Sequence, residues 1–368
     1  MDSNTSFSCC IIGQGKLTIQ CAQQLLDNDC SIKGIVSASN EVLAWARSHH
    51  IPCIHPSEDQ FVFLSRWDFE HLFSIINPKK VSAPILRLPK QSAINFHDAP
   101  LPKYAGLHVT SWAIANQEKS YGVTWHEMSD QFDAGDILKQ IEFPIDKNDT
   151  AFSLNVQCFE KGMEAFSELI VELCNGTVSR RPQNLSSRTA YLSTKRPDAA
   201  AVINWNESGE ELDAKIRSLS YQPDSNPLGL PKVQIGDSMY VIAELELVEG
   251  TAMSRPGQIV GLDSAVICVG TSTIPVSIGS MVNLDGSAVD LQNVAVRHHL
   301  KVGDTLPLLS ELARKRVNHL DGKFEKYEAY WRDVLTDLLP YELAIGANVS
   351  QNIDGQAGFS ERVSEELT

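Results

Sequence analysis

At 368 residues the chain is too long for one ordinary domain and long enough for two plus extensions. Its apolar fraction of 43% can bury a core, while its formal net charge of −15 repels phosphate backbones and argues against nucleic acid as a partner. No signal peptide opens the sequence and no apolar run is long enough to span a bilayer, so a cytoplasmic location is expected. None of the eight cysteines forms a CxxC pair, and most sit in apolar runs; they read as small core residues of a reducing compartment.

In chain order, FSCCII is a short apolar strand ending in GQG, followed by a helical pattern, KLTIQCAQQLLDN. SIKGIVSA, EVLAWARSHH and IPCIH continue as strand, helix, strand. HLFSII, the helical turn APILRL, AINFH, a helix around TSWAIANQ, the strand YGVTWHEM and ILKQIEFPI follow. This alternation predicts an α/β domain, a Rossmann-like parallel sheet with helices on its faces. AFSLNVQCFEKGMEAFSELIVELCNG reads as a long amphipathic helix closed by glycine, ending a first domain over residues 1–177. Residues 178–200 are rich in Arg, Ser, Pro and Asn without apolar periodicity and read as a linker. A second domain over residues 201–309 opens with INW and the helix GEELDAKIRSL. The strands KVQI, SMYVIAELELV, GQIVGL, AVICVG, STIPVSIGSMV and LKVGDTL then predict a small antiparallel barrel, OB-like in size. Residues 310–345 turn helical again, and residues 346–368 are polar and expected to be disordered.

The densest chemical signal is INFHDAPLPKYAGLH (residues 94–108) followed by DQFDAGDIL (residues 130–138). Asn95 and His97 alternate along an extended segment and so share a face. Pro100 and Pro102 stiffen the following loop, and Gly106 allows close approach, features that shape a pocket. Asp133 lies in a later turn, with Asp136 as its rival. An amide donor, an imidazole and a carboxylate can stabilise an oxyanion and move a proton, the equipment for acyl transfer.

Other patterns carry less. Gly13-x-Gly15 lacks the third glycine of a dinucleotide fingerprint, Thr18 standing in its place, and no acid ends the second strand; the role expected is a tight strand-to-helix turn. His126-Glu127 invites a metal reading, but no second His follows at HExxH spacing, and no metal site is expected. There is no GxSxG, and Cys9 and Cys10 lie inside a strand.

At INFHDAPLPKYAGLH and YGVTWHEMSDQFDAGDIL the sequence resembles the folate-dependent formyltransferases, which share N-x-H, a LPxYxG-like loop and a later D-x-G. The resemblance covers residues 7–175, and INW with the strands after it resembles the C-terminal barrel of the methionyl-tRNA formyltransferase branch. It implies that Asn95, His97 and Asp133 are the catalytic amide, imidazole and carboxylate. It also implies that Met128, Ser129, Asp130 and Phe132, with the backbone near Val81, hold the folate head group. Two departures stand out. Asp98-Ala99-Pro100-Leu101-Pro102 replaces the commoner Ser-Leu-Leu-Pro loop, and Gln131-Phe132 stands where an acidic turn residue is common. The HDAPLP form resembles formylation domains fused to nonribosomal peptide synthetases. EKYEAYWRDVLTDLLPYEL resembles the segment preceding the next catalytic domain there.

That resemblance implies 10-formyltetrahydrofolate as donor and an aminoacyl group on a carrier protein as acceptor, with downstream synthetase domains as partners. Initiator methionyl-tRNA, an amino-sugar nucleotide and water remain alternative acceptors. A non-catalytic docking module is the alternative of another class.

Overall fold

The computed structural model describes residues 6–221, 226–248 and 254–336. The expected tail over residues 346–368 and the end of the expected helix over 310–345 lie outside them.

The first sheet is built from β1 (Ser8–Gly13), β2 (Ser31–Val36), β3 (Cys53–Ile54), β4 (His71–Ile75) and β5 (Ser92–His97). A two-residue strand, β6 (Ala105–Gly106), lies apart from it, and β7 (Ser120–Glu127) and β8 (Ile137–Pro144) complete it in the order β3-β2-β1-β4-β5-β7-β8. β1 to β5 pair in parallel, as the alternation of strand and helix predicts; β7 and β8 run antiparallel at the edge. The parallel strands are continuous apolar runs because both faces are covered. On one face α1 (Gly15–Asp27), α2 (Asn40–Ser48) and the long α6 (Ala151–Asn175) close over Ile11, Phe73, Trp125 and Phe166. On the other, α3 (Gln60–Leu64) and α4 (Ala83–Leu86) cover Cys10, Leu72 and Ala93. α6 starts in a capping box between Thr150 and Ser153 and stops at Gly176, which is left-handed. The helix from TSWAIANQ is α5 (Val109–Ala115).

His71 sits at the start of β4, 4% exposed, edge-on to Phe7 with Nδ1 2.8 Å from Ser92 Oγ. Burial pushes this imidazole down to about 4, nearby Glu70 opposing and Arg180 assisting. Above pH ~6.5 folded and unfolded chains both hold it neutral. Below that the unfolded chain takes up the proton first, so stability falls as pH drops from ~6.5 towards ~4, by at most about 3 kcal/mol. Urea midpoints at pH 7.5 and 5.0 test this: the difference shrinks in His71→Leu, and an unchanged difference removes His71 as its source.

Residues 178–200, expected to be a linker, are not a free span. β9 (Ala190–Tyr191) pairs in parallel with β6, Arg181 exchanges backbone hydrogen bonds with Ile137, and Lys195 lies over the rings of Tyr191 and Trp112.

The second domain opens with α7 (Gly209–Leu219), capped by a Ser208–Glu211 box. Its antiparallel sheet comprises β10 (Lys232–Ile235), β11 (Ser238–Leu247), β12 (Ile259–Leu262), β13 (Ile267–Val269) and β14 (Val276–Val282), with β15 (Ala288–Val289) paired to β14. Register shifts near Glu244 bend β11 against β14, as bulges do, and the sheet wraps its core of Trp205, Ile235, Ile259 and Ile278 as a half-barrel. Two details depart from the sequence expectation. LKVGDTL is not a strand: Gly303 at φ +100 breaks the extended run, leaving one bridge from Thr305 to Gln258. A helix appears instead just before it, α8 (Leu291–Arg297), capped by Asp290 accepting from the Asn293 N–H. The domains meet where α5 packs on α7, with Asn226 Nδ2 donating to Ser111 Oγ and Arg217 to the Asp149 carbonyl. The last described element is α9 (Glu311–Thr336).

Candidate active site

β5 presents Asn95 and His97 on one face, as their spacing predicts. The antiparallel register sets Asn95 opposite His126 and His97 opposite Thr124 on β7. Cross-strand partners share a face, so His126 joins the pair.

His97 is 5% exposed, and its Nε2 lies 2.8 Å from the Tyr104 carbonyl oxygen. A carbonyl only accepts, so Nε2 carries the hydrogen. Nδ1 is therefore the nitrogen turned towards carboxylates, 3.9 Å from Asp133 Oδ2 and 4.0 Å from Asp98 Oδ1. Asp133 is buried in a left-handed backbone conformation at φ +50, which aspartate tolerates. Its Oδ2 accepts the Gly106 N–H at 3.0 Å, and its Oδ1 lies 3.6 Å from His126 Nε2. Burial by itself raises the carboxyl's pKa; the neighbouring imidazole of His97, that of His126 by hydrogen bonding and electrostatic attraction, and the Gly106 N–H outweigh it and hold the group below its ordinary value. Asp133 is thus a carboxylate at neutral pH. Asn95 Nδ2 donates to the Phe96 carbonyl at 3.0 Å and to His126 Nε2 at 3.2 Å, while His126 Nδ1 donates to the Glu127 carbonyl at 2.8 Å.

The loop carrying Asp133 is fastened from outside. Gln183 Nε2 donates to the carbonyls of Asp133 and Gly135 at 3.1 and 2.7 Å, and Arg188 donates to the Phe132 carbonyl at 2.8 Å. Thr189 Oγ1 accepts the Tyr104 N–H at 2.8 Å, fixing the carbonyl that orients His97. The polar connecting segment therefore braces the loop, a role its composition does not advertise.

Asn95, His97, His126 and Asp133 open on a cavity of ≈270 Å³. Val81, Leu86, Met128, Phe132, Asn155, Phe159 and Tyr221 also line it. Of the residues expected to hold a folate head group, Val81, Met128, Ser129 and Phe132 line this cavity. Asp130 does not; its carbonyl accepts from Lys80 Nζ at 3.2 Å, tying the loop after β7 to the loop after β4. Asp136 is also absent from the lining, its carbonyl taken by the Glu127 N–H. Apolar lining residues with a few convergent polar groups fit a small heteroaromatic ligand.

Gln14 of the GQG turn reaches the cavity edge. Gly13 is needed there because a Cβ would lie 2.5 Å from the Ile75 carbonyl oxygen. Cys9 and Cys10 are buried in β1, and burial pushes the Cys10 thiol up to about 12, so neither is a ready nucleophile. Among the described residues no group of three or more His, Cys, Asp or Glu side chains is placed to hold a metal, and no helix is long and apolar enough to cross a membrane.

Sequence reasoning missed His126. The signal available was the alternation Thr124–His126 on β7, but only the pairing with β5 gives it a partner.

A Rossmann-like domain with an amide, an imidazole and an ionised carboxylate around one cavity, followed by an antiparallel half-barrel, is the arrangement that acyl-group transfer calls for. Residues 78–170 match the formyl transferase family and residues 197–298 match the formyl transferase C-terminal domain; the chain belongs to this family. Methionyl-tRNA formyltransferase of Clostridium tetani is 32% identical over 211 residues, 57% of this chain and 65% of that protein. The Staphylococcus aureus enzyme of the same name is 31% identical over 188 residues, 51% and 58% of the two. The matched region thus spans less than two thirds of these relatives' length. Among solved structures, the N-formyltransferase of Helicobacter canadensis in complex with folinic acid and dTDP-3-aminofucose superposes with a TM-score of 0.59 at 21% identity, covering 74% of this chain and 98% of that one. HypX of Aquifex aeolicus in complex with tetrahydrofolic acid gives 0.56 at 16%, covering 83% and 50%. At these identities the likeness is one of fold.

Proposed function

We propose that the protein transfers a formyl group from 10-formyltetrahydrofolate to a primary amine. The observation that carries this reading is the convergence of Asn95, His97 and Asp133 on one cavity with an apolar wall for the pterin. The amine attacks the formyl carbon; a tetrahedral oxyanion forms, stabilised by the Asn95 amide and a protonated His97. The carboxylate of Asp133 orients a water that takes the amine's proton, and the bond to folate N10 breaks as that nitrogen is protonated. Val81, Met128, Ser129 and Phe132 hold the pterin, and the Asp130 carbonyl, outside the lining, accepts from Lys80 and steadies their loop. No metal and no covalent enzyme intermediate enters this scheme.

The acceptor is an aminoacyl group on the phosphopantetheine arm of a carrier protein, in a cytoplasmic setting, and its formylation starts a nonribosomal peptide. The HDAPLP loop and the sequence of residues 325–343 support this, as does the charge of −15, which disfavours tRNA. Initiator methionyl-tRNA is the second reading, favoured by the likeness to methionyl-tRNA formyltransferases and by the basic residues Arg180, Arg181, Arg188, Lys195 and Arg196. Arg180 and Arg188 are already engaged with Glu127 and the Phe132 carbonyl, which weakens it.

Mass spectrometry after incubation with 10-formyltetrahydrofolate and four acceptors decides: aminoacyl carrier protein, methionyl-tRNA, an amino-sugar nucleotide, and buffer. One formyl group gained on the carrier protein alone is the expected result. Gain on tRNA or sugar reassigns the acceptor. Tetrahydrofolate released equally in buffer makes the protein a hydrolase, and no reaction with any acceptor favours a docking module.

A further inference from the structure

Both amide hydrogens of Asn95 are already spent. One goes to the Phe96 carbonyl at 3.0 Å and the other to His126 Nε2 at 3.2 Å. The second bond exists only while Nε2 has a lone pair, and it has one because the ring's hydrogen sits on Nδ1, donated to the Glu127 carbonyl. The same Nε2 lies 3.6 Å from Asp133 Oδ1. The neutral ring therefore occupies an amide N–H that an oxyanion would need. Once Nε2 gains a proton it can no longer accept from Asn95, and its natural partner becomes the carboxylate beside it.

We propose that His126 is a positioning residue that gates Asn95 by its own protonation: neutral, it retains the amide; protonated, it turns to Asp133 and releases the Asn95 N–H to the reacting oxygen. This rests on the formyl-transfer reading above. The proton comes from the acceptor amine. As the new C–N bond forms, the amine's proton passes by water and Asp133 to His126 Nε2. As the bond to N10 of the folate breaks, that proton returns by the same route to N10, and His126 is neutral again. The oxyanion donor is thus freed in the same interval in which negative charge builds on the formyl oxygen. The other ionisable groups around His126 are His97, ring to ring at 6.4 Å on β5, Asp98 beyond it, and Glu127, whose carboxylate is paired with Arg180.

Two substitutions separate gating from simple support. His126→Gln keeps an acceptor near the Nε2 position that cannot take a proton, so it locks Asn95. His126→Leu removes the acceptor and leaves Asn95 unrestrained. Gating predicts that kcat falls about 100-fold in H126Q, the cost of one oxyanion donor, and less in H126L, with little change in folate KM in either. A merely structural role predicts the reverse order, with Gln rescuing and Leu worst, and that order overturns the proposal. Melting temperatures and binding of a folate analogue confirm that both variants fold. A second readout needs no turnover, so its failure is distinct from failure of the formyl-transfer reading. In ¹⁵N-resolved NMR of the wild-type protein, the Asn95 side-chain amide signals move with the same midpoint as the His126 ring on acidification, and they stay fixed over that range in H126Q. Asn95 signals indifferent to the state of His126 overturn the proposal whatever the protein's substrate.

Discussion

Replacing His97 by alanine lowers formyl transfer by about 10²–10⁴-fold, the usual contribution of a positioned acid or base, while the protein still folds and still binds a folate analogue. The reasoning is geometric. Nε2 is committed to the Tyr104 carbonyl, so the ring cannot turn, and Nδ1 is held towards the cavity between Asp133 and Asp98. Alanine removes that nitrogen from between the two carboxylates. Some stability is lost as well, because a ring only 5% exposed is truncated, roughly 1–3 kcal/mol. The residues proposed to hold folate, Val81, Met128, Ser129 and Phe132, stay in the cavity lining in this variant. Single-turnover rates, a thermal melt and analogue binding measure the three effects separately. Transfer close to wild type in His97→Ala contradicts the assigned role.

The second large effect comes from a residue that does no chemistry. Gly106 sits in β6 at φ +111, and a Cβ there would stand 2.0 Å from the Tyr191 carbonyl oxygen of β9. Backbone cannot yield as a flexible side chain can, so Gly106→Ala has to part the two strands. The strain of the conformation and the overlap together cost about 3 kcal/mol. The consequence reaches the site directly, because the Gly106 N–H donates to Asp133 Oδ2 and the Tyr104 carbonyl two residues earlier holds His97. Transfer therefore falls further than the folded fraction does. Gly286→Ala is the control: φ is +83 there but the space around the Cβ is open, so only conformational strain of about 1 kcal/mol is lost. Urea unfolding of both variants decides, and equal losses at the two positions contradict the close-packing account.

The connecting segment illustrates why part of this site is illegible in one dimension. Residues 178–200 show no apolar period because their task is to supply hydrogen-bond partners: Gln183 and Arg188 donate to carbonyls of the Asp133 loop, and Thr189 accepts from Tyr104. Polar residues that satisfy another loop's backbone look the same in sequence as polar residues that face water. His126 is hidden for a different reason. It reads as half of a metal motif until β7 is known to run antiparallel to β5 in a register that puts it opposite Asn95. A shift of one residue would have turned it to the other face of the sheet.

What the sequence by itself determined is local. Alternating apolar runs specify the parallel strands, the capping box and Gly176 bound α6, and the spacing of Asn95 and His97 puts both on one face. These follow from backbone periodicity and short-range hydrogen bonds, which a few neighbouring residues decide. The tertiary structure decided which residues meet: Asp133 with Gly106 and His97, His126 with Asn95, and Val81, Phe159 and Tyr221 around one cavity. Those contacts depend on strand register and loop closure over tens of residues, where many pairings satisfy the same local pattern and only packing of the whole chain selects one.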